Sequence, residues 1–243
     1  MTDQKPTIIA PFITLAIGMV VAAMIIAGGL KNFRNYDNYV SVKGLAEQDV
    51  EADLAIWTIK HTATGNDLSA VQKTVKGNAS KIDAFLKSYN VESKEIASRD
   101  ITVTDLMAQN YRQANAYDNR YIVTEIIVVR SDDIDKVSLA SQNVGTLLDQ
   151  NIVLMSNGNG QDVSFIFTGL NDIKPDMIER ATENAREAAD QFASDSGADV
   201  DDIKYANQGV FQILPRDTDE AYAERQSRYK TVRVVSTLQF YLE

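Results

Sequence analysis

Residues 53–90, DLAIWTIKHTATGNDLSAVQKTVKGNASKIDAFLKSYN, change hydrophobic period partway along. From about Asp53 to Thr62 the chain is rich in β-forming residues, which predicts a strand. From Leu68 the apolar residues Val71, Val75, Ala79, Ile82, Leu86 and Tyr89 follow at three- and four-residue steps. That spacing predicts an amphipathic helix, with Asn66 or Asp67 as its cap. Two more strands are expected in EIASRDITVTDL (95–106) and RYIVTEIIVVR (120–130), joined by the long polar loop MAQNYRQANAYDN. Together they make a β-α-β-β unit, in which the helix covers one face of an antiparallel sheet.

The order then starts again. SDDIDKVSLASQNVGTLLDQN (131–151) reads as an intervening helix with Ser131 as its cap and two aspartates at the positive end of the dipole. DVSFIFTGL (162–170) reads as a strand, and Asp172 is placed to cap a helix with Pro175 in its first turn. DIKYANQGVFQIL and YKTVRVVSTLQFYL read as two more strands, the last alternating Val232, Val234, Leu238, Phe240 and Leu242 against Arg233, Thr237 and Gln239. A shift of 107 positions superposes Ile56 on Val163, Ile59 on Ile166, Val71 on Ile178, Phe85 on Phe192, Ile96 on Ile203 and Val103 on Val210. One added loop residue then sets Arg120-Tyr121 on Arg228-Tyr229. The expected fold class is α+β: duplicated β-α-β-β units, about 52–130 and 160–243, with helices packed on antiparallel sheets. Upstream, YVSVKGLAEQDVE is expected to be a short strand followed by a turn at Gly44.

Residues 6–30, PTIIAPFITLAIGMVVAAMIIAGGL, carry no charge, and as a helix at ~1.5 Å per residue they reach across a bilayer core. One N-terminal transmembrane helix is therefore expected within residues 1–31, contacting the membrane through residues 7–30, with a linker at 32–38 and the main domain at 39–243. The rival is a cleaved signal sequence at Ala27-Gly28-Gly29, against which the apolar run is too long. Gly18 with Ala22 and Ala23 with Ala27 supply small-xxx-small spacing for helix pairing.

Composition narrows the chemistry. The net charge is −10 and the pI about 4.7, which makes nucleic acid a poor partner. No cysteine is present, so thiolate nucleophiles, Cys-ligated metals and disulfides are excluded. A single histidine, His61, excludes multi-histidine metal sites. It alternates with Trp57 and Ile59 and reads as a core or edge histidine; Trp57 reads as core. The acidic stretch SDSGADVDDIKY (194–205) lacks the ligand spacing of a calcium loop. Under the shift Gly197 falls on Asn90, two residue types suited to a left-handed helix end, and Asp201 falls on Lys94. The stretch is therefore expected to be a helix end and connector, with no metal. SNGNGQD (156–162) reads as a turn, since no helix start follows to cradle a phosphate. Neither a cofactor nor a catalytic residue is expected.

The long hairpin loops carry Tyr111, Arg112, Tyr117 and Arg120 in one copy and Arg216, Tyr222, Arg225 and Arg228 in the other. Tyr and Arg are enriched in binding hot spots. These eight are the candidate interaction residues, in loops that are solvated, make subunit contacts or hold a small ligand.

VSVKGLAEQDVEADLAIW, FTGLNDIKPDMIERATENAREAADQFASDSG, ANQGVFQILPRD and KTVRVVSTLQFYL resemble the SIMPL-domain proteins of bacteria, a likeness running from about residue 39 to 243. The resemblance implies an envelope location for the residues beyond the anchor; with the apolar segment this gives a single-pass inner-membrane protein whose main domain is periplasmic, or a soluble periplasmic protein where the segment is cleaved. It also implies a duplicated α+β fold and a tendency to form homo-oligomeric rings, with some relatives linked to oxidative-stress tolerance. It carries over no catalytic residue. The expected function is that of a non-enzymatic, oligomerising structural or binding module of the envelope. The alternatives are a small-molecule-binding or hydrolytic protein using a cleft between the two lobes, and a partner-recruiting subunit.

Overall fold

The computed structural model describes residues 15, 17–25, 38–108, 119–156, 163–218, 220 and 223–243. The protein is α+β with antiparallel sheets. Its elements run β1 (Tyr39–Glu51), β2 (Leu54–Gly65), α1 (Leu68–Ser88), β3 (Ile96–Asp105), β4 (Tyr121–Ser131), α2 (Ile134–Gln142), α3 (Gly145–Leu148), β5 (Val153–Leu154), β6 (Val163–Ile166), α4 (Leu170–Ser196), β7 (Val200–Gln208), β8 (Gln212–Pro215) and β9 (Tyr229–Leu242). Two compact units divide the chain, one of Glu47–Pro175 with Gln212–Arg233, the other of Met1–Ala46, Asp176–Phe211 and Val234–Glu243.

In the first of these units the sheet order is β3-β4-β2-β5, with β6 also on β2. β2 and β4 pair without a shift from Ala55↔Ser131 to Gly65↔Tyr121. Alternation puts Trp57, Ile59, Val123, Ile127 and Val129 on one face, and α1 covers it with Val71, Val75, Ile82, Phe85 and Leu86. Burying such side chains contributes roughly 1.5–3 kcal/mol each. Trp57 and Phe85 meet edge to face at 6.5 Å. Asp67 caps α1, accepting from the Ala70 N–H at 2.9 Å. The expected Ser131 cap of α2 is corrected: Asp133 accepts from the Lys136 N–H at 3.3 Å. Ser131 is the last residue of β4, too far back to reach the open helix amides, and its hydroxyl takes the Asp133 N–H instead. Asp172 is not the cap of α4 either, because the helix already starts at Leu170. The Asp53 carboxylate, in the β1–β2 turn, accepts the Thr168 N–H at 2.9 Å and the Gly169 N–H at 3.1 Å, which fixes that earlier start.

In the second unit β9 lies between β1 and β7. The expected turn at Gly44 is absent; β1 runs straight through it. The glycine is needed for approach, not for turning: a Cβ there would stand 1.8 Å from the Ala181 carbonyl oxygen. α4 presents Ala181, Ala185 and Ala189, all fully buried, and this small-residue stripe lets the helix backbone come down on β1. α4 ends at Gly197, whose φ of +72° no side chain favours. The strand expected from 202 to 214 is two strands. Val210 between them is 85% exposed, and pairing resumes from Gln208↔Ser236 to Gln212↔Arg233 with one residue too many, a β-bulge.

Strand pairing departs from two self-contained β-α-β-β units. β6, the counterpart of β2 under the 107-position shift, pairs with β2 itself, and on the side of β9 away from β7 stands β1. β6 has four residues, with Val163 opposite Trp57 and Phe165 opposite Ala55, and both join the buried cluster that holds Trp57 and Ile59.

Candidate functional site

A chain of charged groups runs through the β2–β4–β3 sheet. His61 on β2 stands directly opposite Glu125 on β4, with His61 Nε2 2.9 Å from Glu125 Oε2. His61 is 0% exposed and Glu125 4%. Arg99, on β3, places Nη1 3.5 Å from Glu125 Oε1 and hydrogen-bonds through Nη2 to Asp83 on α1. Asp83 and Arg99 open on a surface groove of about 400 Å³ lined also by Ser93, Ile96 and Ser98. The carboxylate is buried but balanced by a histidine proton and a guanidinium, which is how an apolar face tolerates a glutamate. With Nε2–H donating, His61 Nδ1 has no partner among the described residues. The arrangement ties β2, β4, β3 and α1 together through one buried glutamate side chain.

A second hub surrounds Glu95. Its carboxylate accepts from Lys136 Nζ at 2.8 Å, from Ser131 Oγ at 2.5 Å and from the Glu92 N–H at 2.8 Å. Burial pushes this carboxyl up, but the bonds from Lys136, Ser131 and the Glu92 amide outweigh it and hold it below the ordinary value.

The expected interaction residues fall into two groups. Tyr111, Arg112, Tyr117 and Tyr222 lie outside the described residues. Arg120, Arg216, Arg225 and Arg228 are described, at the bases of the loops. Arg120 forks onto Asp105, Nη2 to Oδ2 at 2.8 Å, while its Cζ lies 4.8 Å above the Tyr121 ring. That guanidinium holds the Asp105 carboxyl below its ordinary value. Arg216 pairs with Asp217 at 2.9 Å and stacks 4.3 Å over Tyr229. Arg228 binds Glu51 and, at 2.6 Å, Asp135. Arg225 takes part through its carbonyl, which accepts the Phe165 N–H at 2.7 Å. Beside them the fully buried Lys230 donates to Glu224 Oε1 at 2.8 Å, pinning the 223–228 turn to β9. Arg120, Arg216 and Arg228 are thus engaged by the protein's own carboxylates and rings, which fix where each loop leaves the sheet.

Sequence reasoning read His61 as a core or edge histidine, not as part of a site, and missed Glu125, Arg99, Asp83 and Glu95. For Glu125 a signal existed: it interrupts the apolar alternation Val123, Ile127, Val129.

The acidic stretch 194–205 closes α4. Gly197 and Asn90 both have positive φ, +72° and 61°. The next residue of each donates back to the same place, Ala198 N–H to Ala193 O at 2.9 Å and Val91 N–H to Leu86 O at 3.0 Å. Among the described residues, no group of three or more His, Asp or Glu could hold a metal ion. Leu15 and residues 17–25 are helical and exposed; no helix among the described residues is long and apolar enough to cross a membrane. The rest of the expected span and the SNGNGQD turn after Ser156 lie outside the described residues.

Fold and site define an α+β protein in which a helix lies on an antiparallel sheet and a buried histidine–glutamate pair is reached from the edge strand by an arginine. The chain belongs to the SIMPL family, whose model matches residues 40–240 and is described as a protein of unknown function (DUF541). No curated protein matches the chain. A solved structure described as a hydrolase from Listeria innocua aligns over 81% of this chain and 91% of its own at 10% identity. Its TM-score is 0.22, a likeness that carries no argument about reaction.

Proposed function

We propose that the chain is a non-enzymatic, self-associating module of the cell envelope, held at the inner membrane by residues 7–30 with residues 39–243 on the periplasmic side. The observation that carries self-association is the open, apolar edge of the sheet at β3, where Ile101 is 57% and Val103 50% exposed. Long exposed strand edges are templates for pairing with another chain. The uncharged stretch at residues 6–30 supports the anchor. A hydrolytic or ligand-binding role at His61 would require solvent to reach a side chain that is fully enclosed. Assembly of such modules beside the membrane fits a protective or scaffolding role under envelope stress.

The test is twofold. Alkaline extraction of membranes should leave the chain in the pellet, with the main domain cut by protease added outside the inner membrane. Light scattering of the chain in mild detergent should give a mass above that of one copy. Release into the supernatant sinks the anchor, and a single-copy mass sinks the module.

A further inference from the structure

The backbone of β3 shows how two copies would meet. β3 pairs with β4 in unbroken register from Ser98↔Val128 to Asp105↔Tyr121, and among the described residues no strand pairs with its other edge. At the end of this ladder the Leu106 N–H donates to the Arg120 carbonyl at 2.9 Å. Antiparallel ladders alternate bonded and non-bonded residues, so Ser98, Asp100, Thr102 and Thr104 bond to β4. Arg99, Ile101, Val103 and Asp105 therefore turn their N–H and C=O groups to the open edge. The side chains of Ile101 and Val103 stand opposite Glu125 and Val123, on the face that carries α1, and are left uncovered.

In the other sheet β1 and β7 are both edges; β1 carries Lys43, Glu47, Asp49 and Glu51, and β7 is guarded. Its pairing with β9 shifts between Val200 and Ile203 and again between Ile203 and Tyr205, and it carries Asp201, Asp202 and Lys204. Bulges and charges are the devices that keep edges from pairing. β3 lacks a shift beyond Ser98.

We infer that β3 pairs antiparallel with β3 of a second copy, about a two-fold axis at Thr102. This rests on the self-association proposed above and names its surface. Only outward-facing residues can exchange bonds, so the allowed registers move in steps of two. The register centred on Thr102 sets Ile101 across from Val103 of the second copy and Arg99 across from its Asp105, at both ends. Asp100 then faces Thr104, and no like charges oppose each other. The two sheets become one, and the apolar pair fills the trough between the two α1 helices. Such a contact is isologous and closes at two copies; a ring would need a second, heterologous contact.

The chain has no cysteine, so a single Thr102→Cys in the full chain, oxidised in mild detergent, reads the axis directly. Directly opposed non-bonded strand residues lie within disulfide reach. T102C should give a covalent dimer on a non-reducing gel, and D100C, four residues out of register with itself, should not. Val103→Pro removes an outward N–H while leaving the β4 ladder intact and should weaken dimerisation at least about tenfold, or about 1.4 kcal/mol. Ile101→Lys should do the same with the backbone unaltered. Equal crosslinking of T102C and D100C, or wild-type mass in both V103P and I101K, overturns the β3 pairing while self-association stands. A wild-type chain of single-copy mass overturns both.

Discussion

Glu125 occupies a place where the pattern of β4 asks for valine or isoleucine, and its buried carboxylate is tolerable only because His61 and Arg99 meet it. Breaking a buried pair by removing one partner is far worse than replacing both, since the survivor keeps its desolvation cost. Glu125→Ala should therefore destabilise the protein by about 3–5 kcal/mol in urea denaturation, leaving His61 enclosed without either ring nitrogen bonded. The double variant His61→Leu with Glu125→Leu should recover most of that loss. An E125A midpoint equal to wild type would show the pair to be energetically idle. At this scale the sequence was half legible. His61 and Glu125 each stand out as polar residues on apolar alternations, but their opposition depends on β2–β4 register. The reach of Arg99 to Asp83 depends on where α1 crosses β3, which no local spacing encodes.

Elements were legible where period and cap chemistry agree, as in α1, whose apolar spacing and Asp67 cap both appear. They were misread where a residue serves a neighbour distant in sequence. Gly44 looks like a turn because the need for it comes from the Ala181 backbone, and Asp172 looks like a cap because the true acceptor, Asp53, lies before β2. The Glu95 hub has the same character, joining the 93–95 turn, the end of β4 and the first turn of α2 through Ser131 and Lys136. Its carboxyl is held below the ordinary 4.5, so between the folded and unfolded values the unfolded state binds more protons and stability rises with pH. The contribution is present above pH 4.5 and is lost as pH falls through the lowered folded value. Glu95→Gln should thus be less stable than wild type at neutral pH, with the gap in denaturation midpoint closing on acidification below 4.5. A gap constant across that range would place the stabilisation in packing, not in the charge.

At the scale of the whole molecule, the α+β class with antiparallel sheets followed from the order of elements. Partner choice did not, because a four-residue β6 and a thirteen-residue β1 compete for places that the hydrophobic pattern alone cannot assign. Net charge, by contrast, is fully legible and sets a condition on assembly. Each copy carries −10, so two copies repel, and the Debye length of ~10 Å at 0.1 M salt means that added salt screens much of this. If the β3 contact is held by backbone bonds and the Ile101–Val103 pair, screening removes an opposing force and leaves the attraction untouched. The Arg99–Asp105 pairs across the axis are screened as well, but exposed ion pairs contribute only ~0–1 kcal/mol each. Self-association measured by sedimentation should therefore tighten severalfold between low and moderately high salt. If it loosens instead, the copies are held by charge pairing, and the apolar edge of β3 is not the surface on which they meet.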